Sequence, residues 1–75
     1  REPHLTFVSK RMPSINKTKD GLDVNVLTKS KAKFSFYAQA PFILLNADWQ
    51  EWDRNGDEVL KGYVTSDRTL LLKKS

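Results

Sequence analysis

The chain has no cysteine and only one histidine, His4, among its 75 residues. Without thiols there are no disulfides, no thiolate metal sites and no cysteine nucleophile, and one imidazole with no thiolate cannot make up a zinc set. Long apolar runs are missing too. The longest, Phe42 to Leu45, has four residues, against the roughly 18 or more that a membrane helix needs. No membrane partner is expected.

The groups that carry catalysis are equally scarce. A Ser-His-Asp site would have to be built on His4, close to a chain end where fraying is the default. Six acids lie between Asp48 and Asp67, but Asp53, Asp57 and Glu58 flank a turn that should project into water, where carboxylates serve solubility. The expectation is a chain that is not an enzyme and carries no cofactor and no metal.

A chain of this size has material for one core, so residues 1–75 are read as a single small domain that buries only about 60% of its unfolded surface. Charge is unevenly spread. Residues 1–45 hold eight Lys and Arg against three acids, while residues 46–75 hold five against six. The basic character belongs to the first half, where it serves solubility or a partner.

Period-two alternation punctuated by turn residues is the dominant pattern, and it predicts strands. Leu5-Thr6-Phe7-Val8 reads as a short strand. The polar stretch Ser9 to Asp20 reads as a flexible loop (9–20), and Asp20-Gly21 as a turn. From Val24 the even positions Val24, Val26, Thr28, Ala32, Phe34, Phe36, Ala38 and Ala40 are small, β-branched or aromatic, while Asn25, Lys29, Lys31, Lys33 and Gln39 are polar. One face is therefore buried and the other wet, with a bend near Thr28 to Lys31 because a single strand would be too long.

Phe42-Ile43-Leu44-Leu45 reads as a strand buried on both sides. The competing reading is a short helix within 41–54, since Phe42, Leu45, Trp49 and Trp52 also fall on a helical stripe after Pro41; mid-segment Asn46 and Asp48 and the poor N-cap speak against it. Asn55-Gly56 predicts a hairpin running from Trp49 to Tyr63, with a loop of three or four residues. Thr65 to Arg68 is a further turn, and Thr69 to Lys74 a last strand. Five to six short strands without a crossover helix make the fold mostly β: a small antiparallel roll, barrel or sandwich.

Two sequence motifs carry little. Asp53-Arg54-Asn55-Gly56-Asp57 resembles the start of a calcium loop of the EF-hand or dockerin kind, but Val64 stands where the bidentate Glu is needed. Asn16-Lys17-Thr18 matches the glycosylation tripeptide.

Two groups are candidates for binding. Lys29, Lys31 and Lys33 on one strand would line up about 7 Å apart, with Tyr37 on the same face for base stacking and Lys10, Arg11, Lys17 and Lys19 extending the patch. The same lysines could instead blunt an edge strand. Trp49 and Trp52, three apart on a strand, fall on opposite faces, so one can pack inward while the other anchors a partner protein, and the acids around them favour a basic or amphipathic partner surface. The primary expectation is a protein-interaction module using a sheet edge and the exposed tryptophan. The alternative is a weakly sequence-specific nucleic-acid-binding domain using the lysines.

Overall fold

The computed structural model describes residues 2–10, 13–39, 41–53 and 58–75. These form eight strands: β1 (His4–Val8), β2 (Ser14–Thr18), β3 (Gly21–Val26), β4 (Ala32–Tyr37), β5 (Phe42–Leu45), β6 (Trp49–Trp52), β7 (Val59–Val64) and β8 (Arg68–Lys74). They make two four-stranded antiparallel sheets, ordered β1-β4-β7-β6 and β2-β3-β8-β5. The fold is all-β and sandwich-like, within the expected class but with more strands than the alternation predicts.

The chain changes sheet between β1 and β2, β3 and β4, β4 and β5, β5 and β6, and β7 and β8. Only β2-β3 and β6-β7 are hairpins within a sheet. The bend at 27–31 is thus a crossing from one layer to the other. It is fastened by the backbone N–H of Thr28, which donates to Asp67 Oδ1 at 2.8 Å, and by the Thr28 hydroxyl, which donates to the Ser30 carbonyl at 2.6 Å. Thr28 is the one buried polar residue among those described, and these bonds satisfy it.

Alternation built the core as expected. Leu22, Val24 and Val26 of β3, Phe34 and Phe36 of β4, Leu60 and Val64 of β7, and Leu70 and Leu72 of β8 are all buried between the sheets. Full burial of a side chain such as Phe36 or Leu72 contributes roughly 1.5–3 kcal/mol. Leu5, Phe42, Ala47 and Trp52 pack against its margin.

Glycine is required where neighbouring backbones come close. A Cβ on Gly21 would fall 1.8 Å from the Leu72 carbonyl oxygen, and one on Gly62 would fall 2.0 Å from the Trp49 carbonyl oxygen and 2.8 Å from the Phe34 ring. Neither backbone oxygen can step aside as a flexible side chain could.

Several expectations need correction. Residues 14–18, inside the predicted loop, form β2; every residue of it is exposed, so it carries no alternation, and it exists because its backbone pairs with β3 from Ser14↔Asn25 to Thr18↔Gly21. Residues 42–45 are a strand, and no helix occurs among the described residues. That strand is not buried on both sides: it is the edge of its sheet, leaving Ile43 and Leu45 exposed. In the β6-β7 hairpin Trp52 pairs with Leu60 and Trp49 with Tyr63, and positions 53–58 separate the strands, a longer connection than the three or four residues expected. Its Asn55-Gly56 tip and most of the calcium-like stretch lie outside the described residues.

Candidate functional site

Registers across the first sheet arrange its outer face in cross-strand rows. His4 pairs with Tyr37 and Tyr37 with Val59; Phe7 pairs with Ser35, Ser35 with Lys61, and Lys61 with Glu51; Lys33 pairs with Tyr63, and Tyr63 with Trp49. The second and third rows are two residues apart along the strands. A shift of register between Leu5 and Phe7 swings Phe7 to the outer side, where it is 53% exposed.

Ser35 is the small residue in the middle of the second row. With Phe7 on one side and Lys61 on the other, it leaves a hollow of about 550 Å³ bordered also by Lys31, Lys33, Trp49 and Tyr63. The Ser35 hydroxyl lies 2.7 Å from Thr6 Oγ1, and Thr6 Oγ1 donates to the Ser35 carbonyl at 3.1 Å, so the polar groups of this residue are engaged within the protein.

Trp49 stacks on Tyr63 with ring centroids 5.8 Å apart and planes 19° apart, and the Lys31 ammonium lies 4.2 Å from the Tyr63 centroid. Such a cation–π contact is worth about 0.5–1 kcal/mol at an exposed site. The 27–31 crossing brings Lys31 there, so the Thr28–Asp67 fastening also sets the cation. Lys61 pairs with Glu51 at 3.7 Å. Lys33 has no carboxylate within ion-pair distance among the described residues. Its backbone is held instead, the Ser9 N–H donating to the Lys33 carbonyl at 2.8 Å and the Lys33 N–H to Ser9 Oγ at 2.9 Å.

A polar corner leads into Trp49. Asp48 Oδ2 accepts from the Thr65 N–H at 2.7 Å and from the Thr65 hydroxyl at 2.9 Å, while Oδ1 pairs with Arg68 at 2.8 Å. The two Thr65 bonds, with the Arg68 charge, hold the Asp48 carboxyl below its usual range. Arg68 also donates to the Asn46 carbonyl, and Asn46 Nδ2 donates to the Thr69 carbonyl at 2.9 Å. Asn46 has φ 78°, a left-handed conformation that Asn tolerates better than most residues.

The sequence-predicted residues part company here. Trp49 is 43% exposed on the outer face and Trp52 faces inward, on opposite sides as their spacing implies. Lys31 and Lys33 line the hollow. Tyr37 shares the outer face in the next row, stacked on His4 with centroids 5.3 Å apart.

The single-strand lysine ladder is not what forms. Only Lys33 belongs to a strand, while Lys29 and Lys31 lie on the 27–31 crossing. Because β4 runs between β1 and β7, Lys33 does not guard an edge. Lys10 donates to Ser30 Oγ at 3.2 Å, Lys17 and Lys19 line a separate hollow with Glu2 and Lys74, and Arg11 lies outside the described residues. Nor do acids surround Trp49 unopposed, since Asp48 and Glu51 are tied to Arg68 and Lys61.

Sequence reasoning passed over Phe7, Ser35, Lys61 and Tyr63 as site residues. Odd numbering on β4 and β7 puts Ser35, Lys61 and Tyr63 on the wet side, but nothing in one strand's pattern says that they meet. Compared with protein-family models, curated proteins and solved structures, the chain matches none.

Proposed function

We propose that this domain is a non-catalytic protein-interaction module whose contact surface is the hollow on the outer face of the β1-β4-β7-β6 sheet, with Trp49 as its anchor. The observation that carries this reading is the exposed Trp49, braced by Tyr63 and Lys31 beside the small Ser35. A large aromatic held by its neighbours contributes contact area at little entropic cost, which is what interface hot spots use. Glu51, the carboxylate lining the hollow among the described residues, is paired with Lys61.

The β5 and β6 edges serve less well than this face. β5 and β6 are edge strands, and Gln50 Nε2 of β6 already donates to the Leu44 carbonyl of β5 at 3.0 Å. Weakly specific nucleic-acid binding is the second reading, favoured by one observation: Lys31 and Lys33 border the same hollow as Trp49 and Phe7.

Selection of binders from a random linear peptide library, followed by titration of the selected peptides, tests the first reading. Trp49→Ala should weaken them by about 2 kcal/mol or more. Oligothymidylate titrated at about 50 mM and 200 mM salt tests the second, through the steep salt loss that phosphate contacts produce.

A further inference from the structure

We infer that the partner segment is an extended acidic stretch of polypeptide in which a carboxylate and an aromatic or large aliphatic side chain stand two residues apart. The inference rests on the protein-interaction reading and names the chemistry of its partner.

Charge sets the first half of the motif. Once Lys61 and Glu51 have paired, the hollow keeps two cations among the described residues, Lys31 and Lys33, both at the end bordered by Tyr63. Lys33 has no carboxylate partner among the described residues, and the Tyr63 ring that Lys31 covers holds it without neutralising it. This end is complementary to one or two carboxylates.

Shape sets the second half. At Ser35 the outer face is low, the hydroxyl is turned to Thr6, and the flanks are the exposed Phe7 ring and the aliphatic stem of Lys61. An apolar side chain gains burial there without stranding a polar group. The Ser35 row and the Lys33 row are two residues apart along β4, about 7 Å for a strand. An extended peptide lying along β4 repeats its same-side residues at that interval, so a ring over Ser35 sets a carboxylate two positions away over Lys33 and Lys31.

The same geometry disfavours single-stranded nucleic acid. Base stacking along a strand needs several open ring faces, whereas Trp49 and Tyr63 stack on each other and the Lys31 ammonium lies over the Tyr63 ring, which leaves Phe7 as the exposed ring of the hollow without a stacking partner among the described residues.

The test uses polymers of defined composition: poly(Glu,Tyr), poly(Glu), poly(Lys,Tyr) and oligothymidylate, each titrated against the domain with amide chemical shifts as readout. Poly(Glu,Tyr) should bind and shift Ser35, Lys33 and Trp49, with poly(Glu) at least about tenfold weaker and poly(Lys,Tyr) weaker still. The double variant Lys31→Gln, Lys33→Gln should lose about tenfold or more. Lys33→Gln alone, which spares the Tyr63 contact, should lose part of this with an unchanged spectrum elsewhere.

Equal binding of poly(Glu) and poly(Glu,Tyr), tighter binding of oligothymidylate, or no binding of poly(Glu,Tyr) overturns the inference. If neutral or basic library peptides bind through Trp49 while poly(Glu,Tyr) does not, the interaction reading survives and the acidic motif falls. If no peptide of any kind binds, both fall.

Discussion

Gln50 Nε2 donates to the carbonyl oxygen of Leu44 at 3.0 Å, and this bond joins the edge strand of one sheet to the edge strand of the other. It matters because β5 combines an open edge with two exposed apolar residues, Ile43 and Leu45, the features that invite pairing with another chain.

Replacing Gln50 with Ala should therefore cost about 0.5–1.5 kcal/mol in urea unfolding, the worth of one intramolecular hydrogen bond. It should also raise self-association, read as concentration-dependent light scattering. A variant as stable and as monodisperse as the parent would show that water replaces the amide and that the clasp has no protective role.

Asp48 makes stability depend on acid. Its carboxyl is held below the ordinary value of 3.8 by the Thr65 bonds and Arg68, so its contribution is complete above that value and is lost as pH falls through the lower folded-state value. Asp48→Asn should melt at a lower temperature than the parent near neutrality. The two melting curves should draw together as pH falls below about 3.8. A gap that does not narrow as the pH falls would assign the difference to something other than this charge.

Gly62→Ala should be among the most damaging single substitutions, because the added carbon meets the Trp49 carbonyl at 2.0 Å and the Phe34 ring at 2.8 Å. A loss of about 3 kcal/mol or more is expected from overpacking against backbone. Because Gly62 lies beneath the hollow, shifted Trp49 fluorescence should accompany it. A fully stable variant would mean that β6 can move away from β7.

The two tryptophans should separate by readout. Trp52 packs against the core margin, so Trp52→Ala should cost about 2–4 kcal/mol in guanidinium unfolding. Trp49→Ala gives up mainly its stacking on Tyr63 and should cost about 1 kcal/mol, while library peptides lose affinity. Should Trp49→Ala instead unfold the domain, Trp49 is a structural residue and the anchor role fails.

Much of the fold was legible in the chain. Val24 through Ala38 announced one buried face by parity, and every even position there is buried except Ser30, which lies on the 27–31 crossing. The three-residue separation of Trp49 and Trp52 announced that they part to opposite sides. Residues 14–18 gave no such sign, because a strand exposed at every position needs only a neighbour's backbone and has no apolar pattern to display. The candidate site was legible in pieces: Lys31, Lys33 and Trp49 stood out singly, assigned to rival readings, while Ser35 and Phe7 did not stand out at all.

By itself, then, the sequence determined which side chains turn inward, since a strand's period of two is a local property of the backbone and hydrophobic burial acts on it directly. Only the tertiary structure decided which strands lie together. Every strand repeats with the same period, so parity cannot tell β4 that its neighbours are β1 and β7, nor that the 27–31 crossing ends beside Tyr63. The meeting of Lys31 with Tyr63 and Trp49 and the hollow above Ser35 come from pairings between residues 14 to 32 positions apart, set by the packing of two sheets around one shared core.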